Sequence, residues 1–261
     1  MRLEVLVSTM KQSNFDLIKK MNIRSDAIII NQFNSMNYEE VVKEYGKIRM
    51  YTFNERGVGL SRNSALMRSD ADIVLFADDD VVYVDDYKNI IIKEFENNPQ
   101  VDIIIFNISS GNNCAIPQFK KNKKLHLHNI LKFGTYRIAA RRNSLLKNNI
   151  TFSLLFGGGA KYSAGEDSFF LRDCIKSGLK CMGSVKDIGI VTHEESTWFK
   201  GYNEKYFFDK GVFARAMFKH RSIAYLFCLQ DYYRHKNLYF IDTILCKKDI
   251  LSIEKKGIKE F

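Results

Sequence analysis

The stretch Ile73-Val74-Leu75-Phe76-Ala77-Asp78-Asp79-Asp80 decides the reading of the fold, because an uninterrupted apolar run ends there on three consecutive aspartates. Continuous apolarity, without polar alternation, is the pattern of a strand buried on both faces. Three adjacent carboxylates at its end repel one another, and a divalent cation with oxygen ligands relieves that repulsion. A turn or a helix cap is the competing reading of such a cluster.

Other runs of the same kind precede it. Leu3 to Ser8 reads as a strand leading, past Thr9, into a helical pattern with Phe15, Leu17, Ile18 and Met21. Ala27 to Ile30 stops at Asn31-Gln32, and Ile48 to Phe53 precedes Asn54-Glu55-Arg56-Gly57-Val58-Gly59, after which Leu60 to Met67 reads as a helix. Strands alternating with helices predict an α/β fold, a Rossmann-like, mostly parallel sheet flanked by helices. Ligands bind such sheets outside the carboxyl ends of the strands, so Thr9, Gln32, Arg56 and the three aspartates are expected along one edge. The Arg56 to Asn63 segment adds Gly57 for close backbone approach, a helix N-terminus, and Arg56 and Arg62 as candidate ligands of phosphate oxygens.

The chain has 261 residues, 46% of them apolar, enough for a sizeable core, and its formal charge of +10 favours an anionic partner. Neither a signal peptide nor a membrane span is legible, so a cytoplasmic location is expected. Five scattered cysteines without a C-x-x-C pair read as reduced core residues rather than disulfides or a zinc site. A helix over Tyr87 to Asn97 and a strand over Val101 to Ile108 follow the aspartates, and the lysine-rich segment Phe119 to Lys124 reads as a solvated loop. From about Lys205 the pattern becomes helical, aromatic and basic, read as packed core with peripheral contact to an anionic membrane as the alternative. The expected organisation is one α/β domain in two halves, 1–110 and 111–204, followed by 205–261 as a helical extension.

Two further elements carry chemistry. Glu166 and Asp167 open a helix over Ser168 to Ser177; they are either favourable dipole and capping partners or an acid pair in which one member accepts a proton while the other orients an acceptor hydroxyl. His193 follows the apolar stretch Ile188 to Val191 and is a candidate third metal ligand if the fold returns it to the same edge.

The D-x-D of Asp78 to Asp80, the preceding Gly59-Leu60-Ser61-Arg62-Asn63-Ser64-Ala65-Leu66, the Gly165-Glu166-Asp167 element and His193 together resemble the family 2 glycosyltransferases of GT-A fold, over roughly the first two hundred residues. The resemblance implies inverting transfer from a nucleotide-diphosphate sugar, with UDP favoured, to a hydroxyl of a glycan or lipid-linked acceptor in surface polysaccharide assembly. It implies Asp167 as base, Glu166 and Trp198 at the acceptor, and Thr9, Gln32, Arg56, Gly57, Arg62, Asn63, Asp78 and Asp79 around the donor. Asp78, Asp80 and His193 would hold Mn²⁺ or Mg²⁺. Of the triplet, Asp79 is expected to be the least constrained. Ser8-Thr9 and Asn31-Gln32 depart from the family, which often has a proline after the first strand and an acidic residue after the second; a carbonyl of Asn31 or Gln32 is expected to accept from the base instead. Val74 to Val82 also fits the first motif of haloacid-dehalogenase-like phosphatases, with Asp78 as nucleophile, but here several strands precede it. A basic binding module would leave Asp78, Asp80, Asp167 and His193 without a role.

Overall fold

The computed structural model of the protein describes residues 1–111, 116–192, 201–242 and 245–261. The chain divides into two compact units, Met1–Ser153 with Asp167–Glu195, and Leu154–Glu166 with Ser196–Phe261.

In the first unit, β1 (Leu3–Met10), α1 (Asp16–Lys20) and β2 (Asp26–Gln32) are followed by the hairpin of β3 (Asn37–Lys43) and β4 (Gly46–Phe53). Next come α2 (Val58–Arg68), β5 (Ile73–Asp78), β6 (Val81–Tyr83), α3 (Tyr87–Asn97), β7 (Ile103–Ser110) and the short β8 (Lys123–Lys124). β9 (Ile138–Arg141), α4 (Arg142–Lys147), α5 (Glu166–Lys176) and β10 (Cys181–Val191) complete the sheet and its cover. Strand order is β3-β4-β2-β1-β5-β9-β7-β10-β6, with β8 paired to β10.

Both faces of this sheet are dry, which is why its central strands are continuously apolar. Val5, Val7, Ala27 and Ile29 pack with Leu17, Ile18, Tyr87, Ile91 and Phe95 of α1 and α3. Their neighbours Leu6, Ile28, Ile30, Val74 and Phe76 point the other way, toward Ala65, Leu66, Leu145, Phe170 and Leu171 of α2, α4 and α5. Side-chain alternation along a strand distributes one run between two cores.

The sheet is mixed, with a parallel centre and antiparallel strands joined to it. β1 pairs in parallel with β2 and β5, β2 with β4, and β7 with β10. β9 runs antiparallel between β5 and β7, and β3 lies antiparallel on β4. Neither has a strong sequence signature. β9 is four residues of Ile-Ala-Ala-Arg, and β3 is an exposed edge carrying Glu39, Glu40 and Lys43, the charged composition that keeps an edge from pairing further. Cysteines 174, 181 and 228 are buried, as expected of core residues, whereas Cys246 is exposed; Cys114 lies outside the described residues.

The second unit contains α6 (Glu204–Met217), α7 (Arg221–Asp242) and α8 (Lys247–Glu260). Asn203 caps α6, its side chain accepting from the Tyr206 amide at 3.0 Å. The aromatic residues Phe207, Tyr232 and Tyr239 form a core with Ile250, as the helical spacing predicts. α6 and α8 cross closely on glycines. A Cβ on Gly211 would lie 2.1 Å from the Glu254 carbonyl oxygen, and one on Gly257 2.2 Å from that of Phe208. Under this crossing Lys210 bonds Asp231 and lies 3.9 Å from Glu254, while Tyr239 donates to Asp231. Glu254 is 1% exposed, and burial raises its carboxyl to about 8, with Lys210 opposing and Asp231 adding to the shift.

Gly211→Ala and Gly257→Ala are each expected to lower stability by about 1–3 kcal/mol, because backbone stands where the methyl must go; a reduced urea midpoint checks this. Glu254 titrates from an ordinary 4.5 when unfolded to about 8 when folded, so between those values the folded state holds the extra proton. Its contribution to stability is therefore complete at low pH and lost as pH rises toward 8. Thermal unfolding is expected at lower temperature near about pH 9 than near about pH 5, and Glu254→Gln should flatten that difference.

Candidate active site

β5 sits between β1 and β9, so the aspartates emerge at the carboxyl end of a central strand. Ser8 of β1 lies opposite Asp78, and in the next ladder Thr9 lies opposite Asn31 and Asn31 opposite Thr52. Thr9, Gln32 and the aspartates thus share one sheet edge, the convergence expected from the alternation of elements.

α2 approaches this edge on glycines. Gly57, at its N-cap, has φ +130°, a conformation that L side chains rarely adopt. A Cβ on Gly59 would stand 2.2 Å from the Ser153 carbonyl oxygen. The close approach lets Ser61 donate to Ser8 at 2.9 Å and brings Arg62 beneath the strand ends.

Arg62 is the central group of the site. Its side chain is 3% exposed; Nη2 meets Asp78 Oδ1 at 2.8 Å and Nη1 meets Asp167 Oδ1 at 3.2 Å, with the guanidinium over the Phe152 ring. The acid at the end of β5 and the acid in the first turn of α5 are tied to one buried cation. Arg62, a candidate for phosphate oxygens in the sequence, pairs here with two carboxylates and positions them.

Three more candidates hold backbone. Gln32 Nε2 donates to the Gly57 carbonyl and its Oε1 accepts from the Gly57 amide, both at 3.0 Å. Asn31 does the same with Gln12, accepting at 2.9 Å and donating at 2.8 Å. Asn63 clamps Phe152, donating at 2.9 Å and accepting at 2.7 Å. The side-chain carbonyls expected to accept from a base each accept a backbone amide here, of Gln12 and of Gly57. Arg56 is exposed, and its guanidinium donates to Asn34 and to the Glu55 carbonyl at the rim.

The aspartate triplet also differs from expectation. Asp79 is half-buried and accepts from the Thr9 hydroxyl; burial raises its carboxyl above the ordinary value, Thr9 opposes this and Asp78 adds to it. It is therefore held, contrary to the reading of Asp79 as the least constrained. The Asp80 carbonyl accepts from the Thr192 amide at 3.0 Å and hydroxyl at 3.1 Å, which fastens the turn to the end of β10. His193 and Trp198 lie outside the described residues, and Glu166 is the first residue of α5.

Two residues were missed. Thr135, buried in a 3-10 turn over Thr135–Arg137, donates to Asp167 Oδ1. Tyr136 beside it has its phenol raised chiefly by burial, and Asp78, Asp167 and Asp80 add to the shift, so all three acids act on one ring. The only sequence signal was Gly134 before an unremarkable Thr-Tyr pair.

Among the described residues no group of three or more His, Cys, Asp or Glu is arranged to hold a metal ion. Asp78 and Asp80 are hard oxygen donors. They fit a cation such as Mg²⁺ or Mn²⁺ that takes further ligands from water and phosphate rather than from an all-protein cage.

Comparison with known proteins places this geometry. The sequence model of glycosyl transferase family 2 matches residues 4–156. No curated protein matches the chain. Among solved structures, S. aureus TarS 1–349 in complex with UDP-GlcNAc is similar at 17% identity and a TM-score of 0.61, over 82% of this chain and 66% of that one. The same protein with UDP gives 16% and 0.58, over 82% and 64%. The mannosyltransferase PcManGT from Pyrobaculum calidifontis, with GDP-Man and Mn²⁺, gives 10% and 0.50, over 98% and 69%. The chain thus spans slightly less than two thirds of TarS 1–349, and at these identities the likeness is one of fold. The phosphatase alternative is set aside by the family match. With that match covering more than half of its length, and with a mixed α/β sheet like that of the GT-A structures, the chain belongs to glycosyl transferase family 2.

Proposed function

We propose that the protein moves a sugar from a nucleotide-diphosphate sugar, UDP-linked, to a hydroxyl of a glycan or lipid-linked acceptor, with inversion at the anomeric carbon, in the assembly of a surface polysaccharide. The observation that carries this reading is the Arg62 bridge, which sets the D-x-D acid Asp78 and the candidate base Asp167 on one guanidinium.

In the proposed reaction the acceptor hydroxyl gives its proton to the Asp167 carboxylate as its oxygen bonds the anomeric carbon. The bond from that carbon to the diphosphate breaks, and its electron pair leaves on the nucleoside diphosphate. Arg62 and Thr135 hold Asp167 in place, so that the base is oriented before the acceptor arrives. Asp78 and Asp80, with His193 as third ligand, are the residues that would hold Mn²⁺ or Mg²⁺. Thr192, the sequence neighbour of His193, is bonded to Asp80, which supports that assignment. A bound cation would neutralise charge developing on the diphosphate. Thr9 and Arg56 border the edge where the donor would lie, with Gly57 bringing backbone close to it. Glu166 and Trp198 are proposed at the acceptor.

The UDP preference is supported by the UDP and UDP-GlcNAc complexes of TarS, a protein of the same fold. The proposed setting is the cytoplasmic face of the cell envelope; the chain's positive charge would suit an anionic, lipid-linked acceptor there.

Asp167→Asn is expected to lower transfer by about 10²–10⁴-fold, the range for losing a general base, while the thermal shift induced by donor persists. Near-normal turnover by this variant would remove Asp167 from the role of base. In a thermal-shift screen, UDP or a UDP-sugar with Mn²⁺ is expected to raise the unfolding temperature, and EDTA to weaken the effect. Absence of any shift across uridine and guanosine nucleotides, with or without metal, would overturn the donor assignment.

A further inference from the structure

α7 is apolar on two opposite faces. Ala224, Cys228, Tyr232 and Tyr239 turn inward and are buried. Ile223, Leu226, Leu229 and Tyr233 recur at helical spacing on the other side and are 44%, 64%, 37% and 54% exposed. A helix on a globular surface ordinarily carries polar residues there; here Ser222, Gln230 and Asn237 share the face with four large exposed apolar side chains, and such an apolar stripe marks a surface with a partner.

The charges around the stripe identify the partner. Lys219 and Arg221 stand at its start, and Arg234 and Lys236 at its end. Lys247, opening α8, places its ammonium 4.5 Å from the centroid of the Tyr233 ring. Between positions 219 and 238 the one acidic residue is Asp231, and it is engaged by Lys210, Tyr239 and His235 on the inner side. Apolar side chains flanked along the helix by Lys and Arg complement an anionic headgroup layer over its acyl chains. The same face on a second copy would bring cation against cation.

We propose that the outward face of α7 is a docking surface for an anionic lipid bilayer, with the helix lying in the plane of the interface. Ile223, Leu226 and Leu229 enter the acyl boundary, Tyr233 keeps its hydroxyl at headgroup level, and the flanking Lys and Arg stems extend to the phosphates. Among the described residues no helix is long and apolar enough to cross a membrane, so this contact is peripheral. It stands on the C-terminal unit alone and does not rest on the transfer reaction.

Co-sedimentation of the whole chain with vesicles, without nucleotide sugar, tests it. Phosphatidylglycerol-containing vesicles are expected to bind the protein, pure phosphatidylcholine vesicles to bind it far less, and added salt to weaken the binding. The double variant Leu226→Ser with Leu229→Ser should reduce partitioning by about tenfold or more, and Arg234→Glu with Lys236→Glu should reduce it likewise. Thermal unfolding of these variants should match that of the parent, because the positions are exposed. Binding that survives both double variants, or no binding to either vesicle, overturns the proposal. A concentration-dependent dimer in sedimentation velocity that disappears in the Leu226→Ser, Leu229→Ser variant also overturns it, assigning the face to a second copy.

Discussion

A guanidinium buried between two carboxylates is the constraint around which the candidate site is organised. Arg62 is almost wholly out of water, and an unpaired charge there would be costly; Asp78 and Asp167 make its burial tolerable, and it in turn fixes their separation. Two acids close together repel. One cation between them offsets that repulsion.

The rest of the edge serves that placement. Gly59 lets α2 lie against the Ser153 backbone, Ser61 bonds Ser8 at the end of β1, and Asn63 clamps Phe152, whose ring lies under the guanidinium. Gln32 and Asn31, both at the end of β2, do the same for neighbouring loops, each fastening one by a two-point amide bond. Residue types that read as ligands in the sequence thus also fasten the backbone of the loops around the candidate site. A buried amide satisfied by backbone is favoured over one left waiting for a ligand, because an unmet donor or acceptor in the interior costs more than a met one gains.

The helical unit follows the same economy in a different form. Its aromatic core and the glycine crossing of α6 and α8 leave a charged cluster of Lys210, Asp231 and Glu254 under the helices, where burial holds Glu254 protonated over much of the neutral range. α7 contributes one apolar face to that core and presents another to solvent. The inner face of α7 packs against α6 and α8, and among the described residues its outer apolar residues stay exposed.

Local pattern determined a good deal. Continuous apolar runs named β1, β2, β4, β5 and β7, and the alternation with helices predicted the flanked α/β sheet and the edge at which Thr9, Gln32 and the aspartates meet. That is so because burial on both faces and turn chemistry are written in neighbouring residues. The antiparallel β9 and the charged edge β3 were not legible: four residues carry too little periodicity, and an edge strand is made by its partner. Nor was the role of Arg62 legible, since its two carboxylates lie 16 and 105 positions away, or that of Asn63, whose partner lies 89 away. Residue type and order established which groups were present and on which side of the sheet; which oxygen each nitrogen meets depends on distances that exist only once the strands are side by side.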